Sequence, residues 1–312
     1  MTRPLLATKL YVPKLRRGLV GRPRLLERMG NGAEARLTLV SAPAGFGKTT
    51  VLATWLHEAS AAGRCVAWLS LDAADSDPTS FWTYVVTALQ GAVPGVGTSA
   101  LELLASSPAP TELALTTLLN ELAAAPDEVW LVLDDYHLVD DQEVNDGVAF
   151  LLEHLPAQVH VMVSTRADPD LPLARWRVRG ELVEIRAADL RFTSAEATAY
   201  LNVATALDLA AEDVAVLEER TEGWIAALQL AALSLQGRED VSSFIARFAG
   251  DDRYIVDYLI EEVLQHQPDA VRGFLLQSAV LDRMTGLLCD AVTGRDDGSE
   301  MLVALERANL FI

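Results

Sequence analysis

The stretch Ala42-Pro43-Ala44-Gly45-Phe46-Gly47-Lys48-Thr49-Thr50 has the residue types and spacing to bind phosphate. It follows the apolar run Leu37-Thr38-Leu39-Val40 and precedes a helical stretch, Val51 to Leu56. Strand, glycine loop and helix in that order are the setting of a phosphate-binding loop. The full pattern G-x-x-x-x-G-K-[ST] is broken once, because Ala42 stands at the first glycine position. The rest is intact. Gly45 and Gly47 let the loop amides of Ala44 to Thr50 turn inward, and the helix N-terminus adds its positive end. Lys48 is placed to reach the β- and γ-phosphates of ATP or ADP, and the Thr49 hydroxyl to ligate Mg²⁺. Lys48 is also the last lysine of a chain with 3 Lys and 22 Arg. A slim ammonium suits a crowded phosphate loop where a planar guanidinium does not.

A second group follows on Val129-Trp130-Leu131-Val132-Leu133-Asp134-Asp135. Five apolar residues predict a strand buried on both faces, ending in two carboxylates at the edge where α/β sheets bind ligands. Asp134 is assigned to Mg²⁺, directly or through water. Asp135 either acts as general base on the attacking water or orients it. Arg166, in Ser164-Thr165-Arg166 at the end of a later strand, either senses the γ-phosphate or pairs with Asp168 or Asp170. Gly223, in Glu222-Gly223-Trp224, either offers its backbone to the nucleotide or permits tight helix packing around Trp224. His137 either polarises water or makes a loop hydrogen bond.

These groups need a parallel sheet to converge. Strands are predicted at 37–40, 64–71, 129–133, 159–164 and 181–185, alternating with helices, including an amphipathic one at 111–125. After Asp189 the strand signals stop. Thr193-Ser194-Ala195-Glu196 reads as a capping box opening a helical region, and Pro268-Asp269 starts a further helical unit that ends apolar at Asn309-Leu310-Phe311-Ile312. The predicted fold is thus an α/β P-loop NTPase, with a parallel five-stranded sheet and helices on both faces. An α-helical domain and a partial winged helix follow. The expected division is a basic arm over 1–36, the NTPase domain over 37–190, a helical domain over 191–265, and a truncated winged-helix-like domain over 266–312.

Composition narrows the function. The net charge is −19, yet residues 1–36 carry nine Lys/Arg and two acids. The acidic remainder repels nucleic-acid phosphate. The basic arm either packs on that acidic body, borders the nucleotide, or touches DNA. No run of 18 apolar residues predicts a membrane span, and the first residues lack the apolar core of a signal peptide. Cys65 and Cys289 have neither metal spacing nor a disulfide framework. A cytoplasmic protein with no membrane partner is expected.

Taken in order, the glycine loop, Asp134-Asp135-Tyr136-His137, Ser164-Thr165-Arg166, Gly223-Trp224, Phe274-Leu275-Leu276 and Leu288-Cys289-Asp290-Ala291 resemble one family. So do Thr8-Lys9-Leu10-Tyr11-Val12-Pro13 and Leu19-Val20-Gly21-Arg22-Pro23. The chain is similar throughout to the N-terminal part of the large ATP-dependent LuxR-type transcription regulators, which are STAND signal-transduction ATPases. The resemblance implies that Val20 and Arg22 border the adenine, and that Ala44 to Thr50 hold the phosphates. It also implies Mg²⁺ on Thr49 and Asp134, and roles for Asp135 and Arg166 in hydrolysis. The Gly-x-Pro of many such proteins reads Gly223-Trp224-Ile225 here. The resemblance further implies self-association in the ATP state, and inducer and DNA contacts through sensor repeats and a helix-turn-helix not among these 312 residues. The expected function is a nucleotide switch reset by slow ATP hydrolysis. A P-loop metabolic kinase or phosphotransferase, and an AAA+-type ATPase, are the alternatives.

Overall fold

The computed structural model describes residues 4–16, 18–31, 35–106, 110–236, 241–247, 253–281, 283–308 and 310. Arg3, Arg17 and Glu34 of the basic segment, and Asn309, Phe311 and Ile312 of the apolar ending, lie outside the described residues. The chain divides into two compact units. The first holds residues up to 16, 22–41 and 48–189; the second holds 17–21, 42–47 and 190 onward.

The first unit is built on five strands: β1 (Leu37–Ser41), β2 (Cys65–Ser70), β3 (Val129–Asp134), β4 (Val159–Thr165) and β5 (Leu182–Arg186). All pair in parallel, in the order β2-β3-β4-β1-β5. Every residue of the three inner strands, β3, β4 and β1, is buried, whereas the edge strands β2 and β5 are partly open. That explains why the inner strands read as near-continuous apolar runs.

Helices cover both faces, as the alternating pattern predicts. Side chains of odd number (Leu37, Leu39, Leu69, Leu131, Leu133, Val161, Val163) share one core with α3 (Pro78–Ala92), α4 (Thr98–Leu104), α5 (Thr111–Ala123), α6 (Gln142–Glu153) and α7 (Leu173–Arg179). The four leucines expected on one side of the 111–125 helix, Leu115, Leu118, Leu119 and Leu122, all point into it. Even-numbered side chains face the other way. There Trp130 of β3 stacks on Trp55 of α2 (Lys48–Ala61), with ring centroids 4.3 Å apart, and on His160 of β4 at 4.2 Å. Asp77 and Asp141 cap α3 and α6 with their carboxylates, which fixes where each helix starts above the sheet. The basic segment adds α1 (Pro23–Gly30), and Arg28 pairs with Asp189 at 2.6 Å. Its cations thus meet acids of the same unit.

Among the described residues the second unit is helical. The capping box at Thr193–Glu196 forms, and opens α9 (Ser194–Thr198) after the short α8 (Ala187–Leu190). α10 (Ala211–Thr221) and α11 (Ile225–Leu235) are separated by Glu222, Gly223 and Trp224, the first two at positive φ. The glycine is required there. A Cβ at 223 would lie 2.4 Å from the Phe192 carbonyl oxygen, and the Phe192 N–H donates to the Gly223 carbonyl at 2.8 Å. α13 (Arg253–Glu262), preceded by α12 (Val241–Arg247), leads to a small bundle of α14 (Asp269–Ser278), α15 (Gly286–Thr293) and α16 (Gly298–Arg307). That bundle closes on Phe274, Cys289 and Leu305. No helix among the described residues is long and apolar enough to cross a membrane.

Gly223→Ala combines a left-handed φ with a backbone clash. It should cost the helical unit about 2 kcal/mol or more, seen as a lower urea midpoint. Wild-type stability in that variant would contradict this packing role.

Candidate phosphate and magnesium site

β4 lies between the strand that feeds the glycine loop and the strand that ends in Asp134. Asp134 therefore has to reach across the end of β4, and the residue there is small. Ser164 stands at that strand end, and its hydroxyl donates to the Asp134 carboxylate. The same oxygen accepts the Asp135 N–H at 2.9 Å. From the other side, Thr49 Oγ1 lies 3.0 and 3.1 Å from the two Asp134 oxygens. Thr49 sits in the first turn of α2, one residue after Lys48.

A hydroxyl beside a carboxylate is a donor pair that Mg²⁺ takes, with water and phosphate supplying the remaining oxygens. Among the described residues no group of three or more His, Cys, Asp or Glu forms a metal cage.

The charges are poised for such a ligand. Burial pushes the Asp134 carboxyl up to about 6, and the neighbouring Asp135 charge adds to the push; Ser164, Thr49 and Lys48 oppose it. Burial lowers the Lys48 ammonium to about 8; Asp135 and Asp134 pull it up, and Arg166 pushes it down. Arg166 is therefore close enough to Lys48 to feel its charge. Asp168, one suggested partner for Arg166, accepts from Ser41 at 3.1 Å and from Arg186, whose Nη2 is 3.1 Å away. Arg186 in turn shares Glu184 with Arg177, and the Arg177 hydrogen bonds are the main reason the Glu184 carboxyl falls to about 2. Asp135 itself is a left-handed residue, φ 60° and ψ 40°, with its side chain 40 % exposed. His137 Nδ1 lies 3.9 Å from its carboxylate.

The loop Ala42–Gly47 belongs to the second unit. Gly45 and Gly47 have φ of 75° and 79°, the left-handed geometry that turns successive amides to one side. The loop's outward carbonyls are held by the start of α11. The Trp224 indole N–H donates to the Ala44 carbonyl at 3.2 Å, and the Ala226 N–H to the Gly45 carbonyl at 3.2 Å. A Cβ on Gly45 would lie 2.6 Å from the Ala226 Cβ and 2.8 Å from the Tyr258 hydroxyl. Phe46 and Trp224 face each other with ring centroids 6.3 Å apart.

The structure thus brings Lys48, Thr49, Asp134, Asp135 and Arg166 together in the first unit. Ala44, Gly45, Phe46 and Gly47 lie with Trp224 in the second. Thr50 is exposed on α2, and its carbonyl accepts the Thr54 hydroxyl. Arg22 is buried at the start of α1, with Nη2 3.5 Å from the Asp189 carbonyl. Val20 is half-buried in the second unit. Both backbone polar groups of Gly223 are used within the protein, the N–H on the Glu218 carbonyl at 3.3 Å and the carbonyl on Phe192. It is Trp224, not Gly223, that reaches the loop. Sequence reasoning missed Ser164 and the indole bond. The sign of Ser164 was a hydroxyl at the end of a predicted strand; that this strand lies beside Asp134 comes from the fold.

Comparison with known proteins agrees with this fold. Residues 23–164 match the AAA ATPase domain family, and residues 260–312 match the MalT winged helix domain family. The chain is 36% identical over 313 residues to the serine/threonine-protein kinase PknK of Mycobacterium tuberculosis, covering 100% of this chain and 28% of that protein. It is 36% identical over 313 residues to the HTH-type transcriptional regulator MalT of Serratia proteamaculans, covering 99% of this chain and 34% of that protein. The chain thus spans about a third of the length of these relatives. Among solved structures, the Walker-type ATPase PABY2304 of Pyrococcus abyssi superposes with a TM-score of 0.59 at 16% identity, covering 95% of this chain and 91% of that one. That likeness concerns the fold alone.

A raised carboxyl makes a pH-dependent prediction. Asp134 titrates at about 6 in the fold against 3.8 ordinarily, so its ionisation destabilises the nucleotide-free fold as the pH climbs through that interval. Asp134→Asn should gain on wild type from about pH 4 to pH 6 and then level off, at no more than about 3 kcal/mol. Urea unfolding at several pH values without Mg²⁺ or nucleotide reads the difference. A difference that does not vary with pH would contradict the assignment.

Proposed function

The chain is a MalT-like ATPase region, and from that premise we propose that it is a nucleotide switch, binding ATP or ADP with Mg²⁺ and reset by slow hydrolysis. In this reading the loop amides and Lys48 take the β- and γ-phosphates. Thr49 and Asp134 hold Mg²⁺, which neutralises developing phosphate charge when bound. Asp135 activates or orients water, Arg166 reads the γ-phosphate, and Val20 and Arg22 border the adenine. We further propose the helical domain at 191–265, the winged helix at 266–312 as its continuation, and self-association in the ATP state.

The observation that carries the switch is the pair of hydrogen bonds from Trp224 and Ala226 to the loop carbonyls of Ala44 and Gly45. Amides and carbonyls of one loop are rigidly coupled. Phosphate drawn onto the amides re-aims the carbonyls on which α11 rests. Two such bonds, at about 1 kcal/mol each, would bias a two-state equilibrium by roughly thirtyfold. Slow chemistry suits this purpose better than rapid turnover. The relatives support a signalling role: the same region occurs in one protein named as a kinase and in another named as a transcriptional regulator. A part shared by such different proteins fits an input module better than an output activity. For a metabolic kinase, the apolar helix α11, 11 residues long, offers no evident acceptor lid.

Lys48→Ala should abolish ADP binding in calorimetry; unchanged affinity would overturn the phosphate assignment. Asp135→Ala should leave ADP and ATP affinity in place and slow phosphate release on the order of a hundredfold. Equal turnover would remove Asp135 from the chemistry.

A further inference from the structure

Lys9 and Asp75 form a buried ion pair with no part in phosphate binding. Lys9 is 8% exposed and Asp75 1%. The ammonium bonds the Asp75 carboxylate, lies 3.1 Å from Asp72, and sits 4.6 Å from the centre of the Tyr84 ring. The Tyr84 hydroxyl accepts the Leu6 N–H at 2.9 Å. Residues 6–9 are thus fastened at two points to the segment 72–84.

A buried ion pair is a weak source of stability, because both charges give up water. It does fix geometry. Asp75 accepts the Asp72 N–H at 2.8 Å and completes a capping box around the 3₁₀ turn Ala73–Ser76. The segment 71–76 is tied to residues 134–140 at both of its ends. On one side, the Leu71 N–H donates to the Asp134 carbonyl at 2.9 Å. On the other, the Ser76 hydroxyl accepts the Asp140 N–H at 3.1 Å. Asp135 lies between these ties. It is followed by the 3₁₀ turn Tyr136–Leu138, closed by the Leu138 N–H on the Asp135 carbonyl at 3.0 Å. The Asp135 N–H is held by Ser164 at 2.9 Å, and the turn 73–76 supports the residues that follow it.

We propose that Lys9 is a positioning residue: with Asp75 it holds the turn 73–76 against residues 134–140, and so sets the aim of Asp135. The consequence for turnover rests on the reading of Asp135 as the group that acts on water; the consequence for the turn does not. The experiment separates the two. Lys9→Met alone would strand a buried carboxylate and endanger folding. Lys9→Met/Asp75→Asn neutralises both partners, and Ser76→Ala cuts only the tie to Asp140. In the full chain, hydrogen exchange of the 135–140 amides is followed together with ATP turnover and ADP affinity.

Both variants should speed exchange across 135–140 by roughly five- to tenfold. Both should lower kcat with KM and ADP affinity essentially unchanged. Wild-type exchange in both variants overturns the proposal. So does a response limited to the double variant with Ser76→Ala silent, because the pair would then merely anchor the N-terminal segment. Faster exchange with unaltered turnover, or with no turnover even in wild type, upholds the strap and overturns the catalytic reading of Asp135.

Discussion

The site depends on one buried carboxylate. Asp134 is 2% exposed, and the strand order obliges it to reach across the end of β4 toward Thr49. Left alone, such a group would remain protonated and useless as a cation ligand. Ser164 and Thr49 donate to it and Lys48 lies near, yet burial still wins, and the carboxyl sits at about 6. At neutral pH it is therefore ionised but unsettled. A cation would relieve that, and the hydroxyl beside it is a suitable co-ligand. Lys48 is unsettled in the opposite sense, its charge disfavoured by burial. Phosphate would relieve it. The two strains fit one ligand, a metal-bound nucleotide.

The glycine loop adds a second constraint. Gly45 has no room for a Cβ, because Ala226 and Tyr258 are too near, and its φ is left-handed. The loop thus has one face for anions and one face already bonded by Trp224 and Ala226. A purely catalytic loop needs only the first. The indole bond gives the second its direction, and it is why we read the site as a reporter of bound nucleotide.

Much of this was legible in the sequence. Lys48, Thr49, Asp134 and Asp135 announce themselves because phosphate and Mg²⁺ chemistry demands those types at strand and helix ends. The five strands and the capping box at Thr193 follow from local periodicity and cap chemistry. What was hidden is long-range. No local pattern says that β4 inserts between β3 and β1, so the service of Ser164 to both acids could not be read. For Gly223 a nucleotide contact and tight helix packing were both open readings, and only the fold shows that the Phe192 backbone lies against it. Lys9 and Asp75, 66 residues apart, gave no sign of pairing, since a lysine normally faces water.

We read Asp134 as the ligand of a divalent cation that arrives with nucleotide. The decisive experiment is titration with Mn²⁺ in the presence and absence of ADP, following free ion by electron paramagnetic resonance. One tight ion per wild-type chain is expected, dependent on ADP, with loss of that ion in Asp134→Asn while ADP still binds. Equal Mn²⁺ binding by the two proteins, or binding indifferent to ADP, would contradict it.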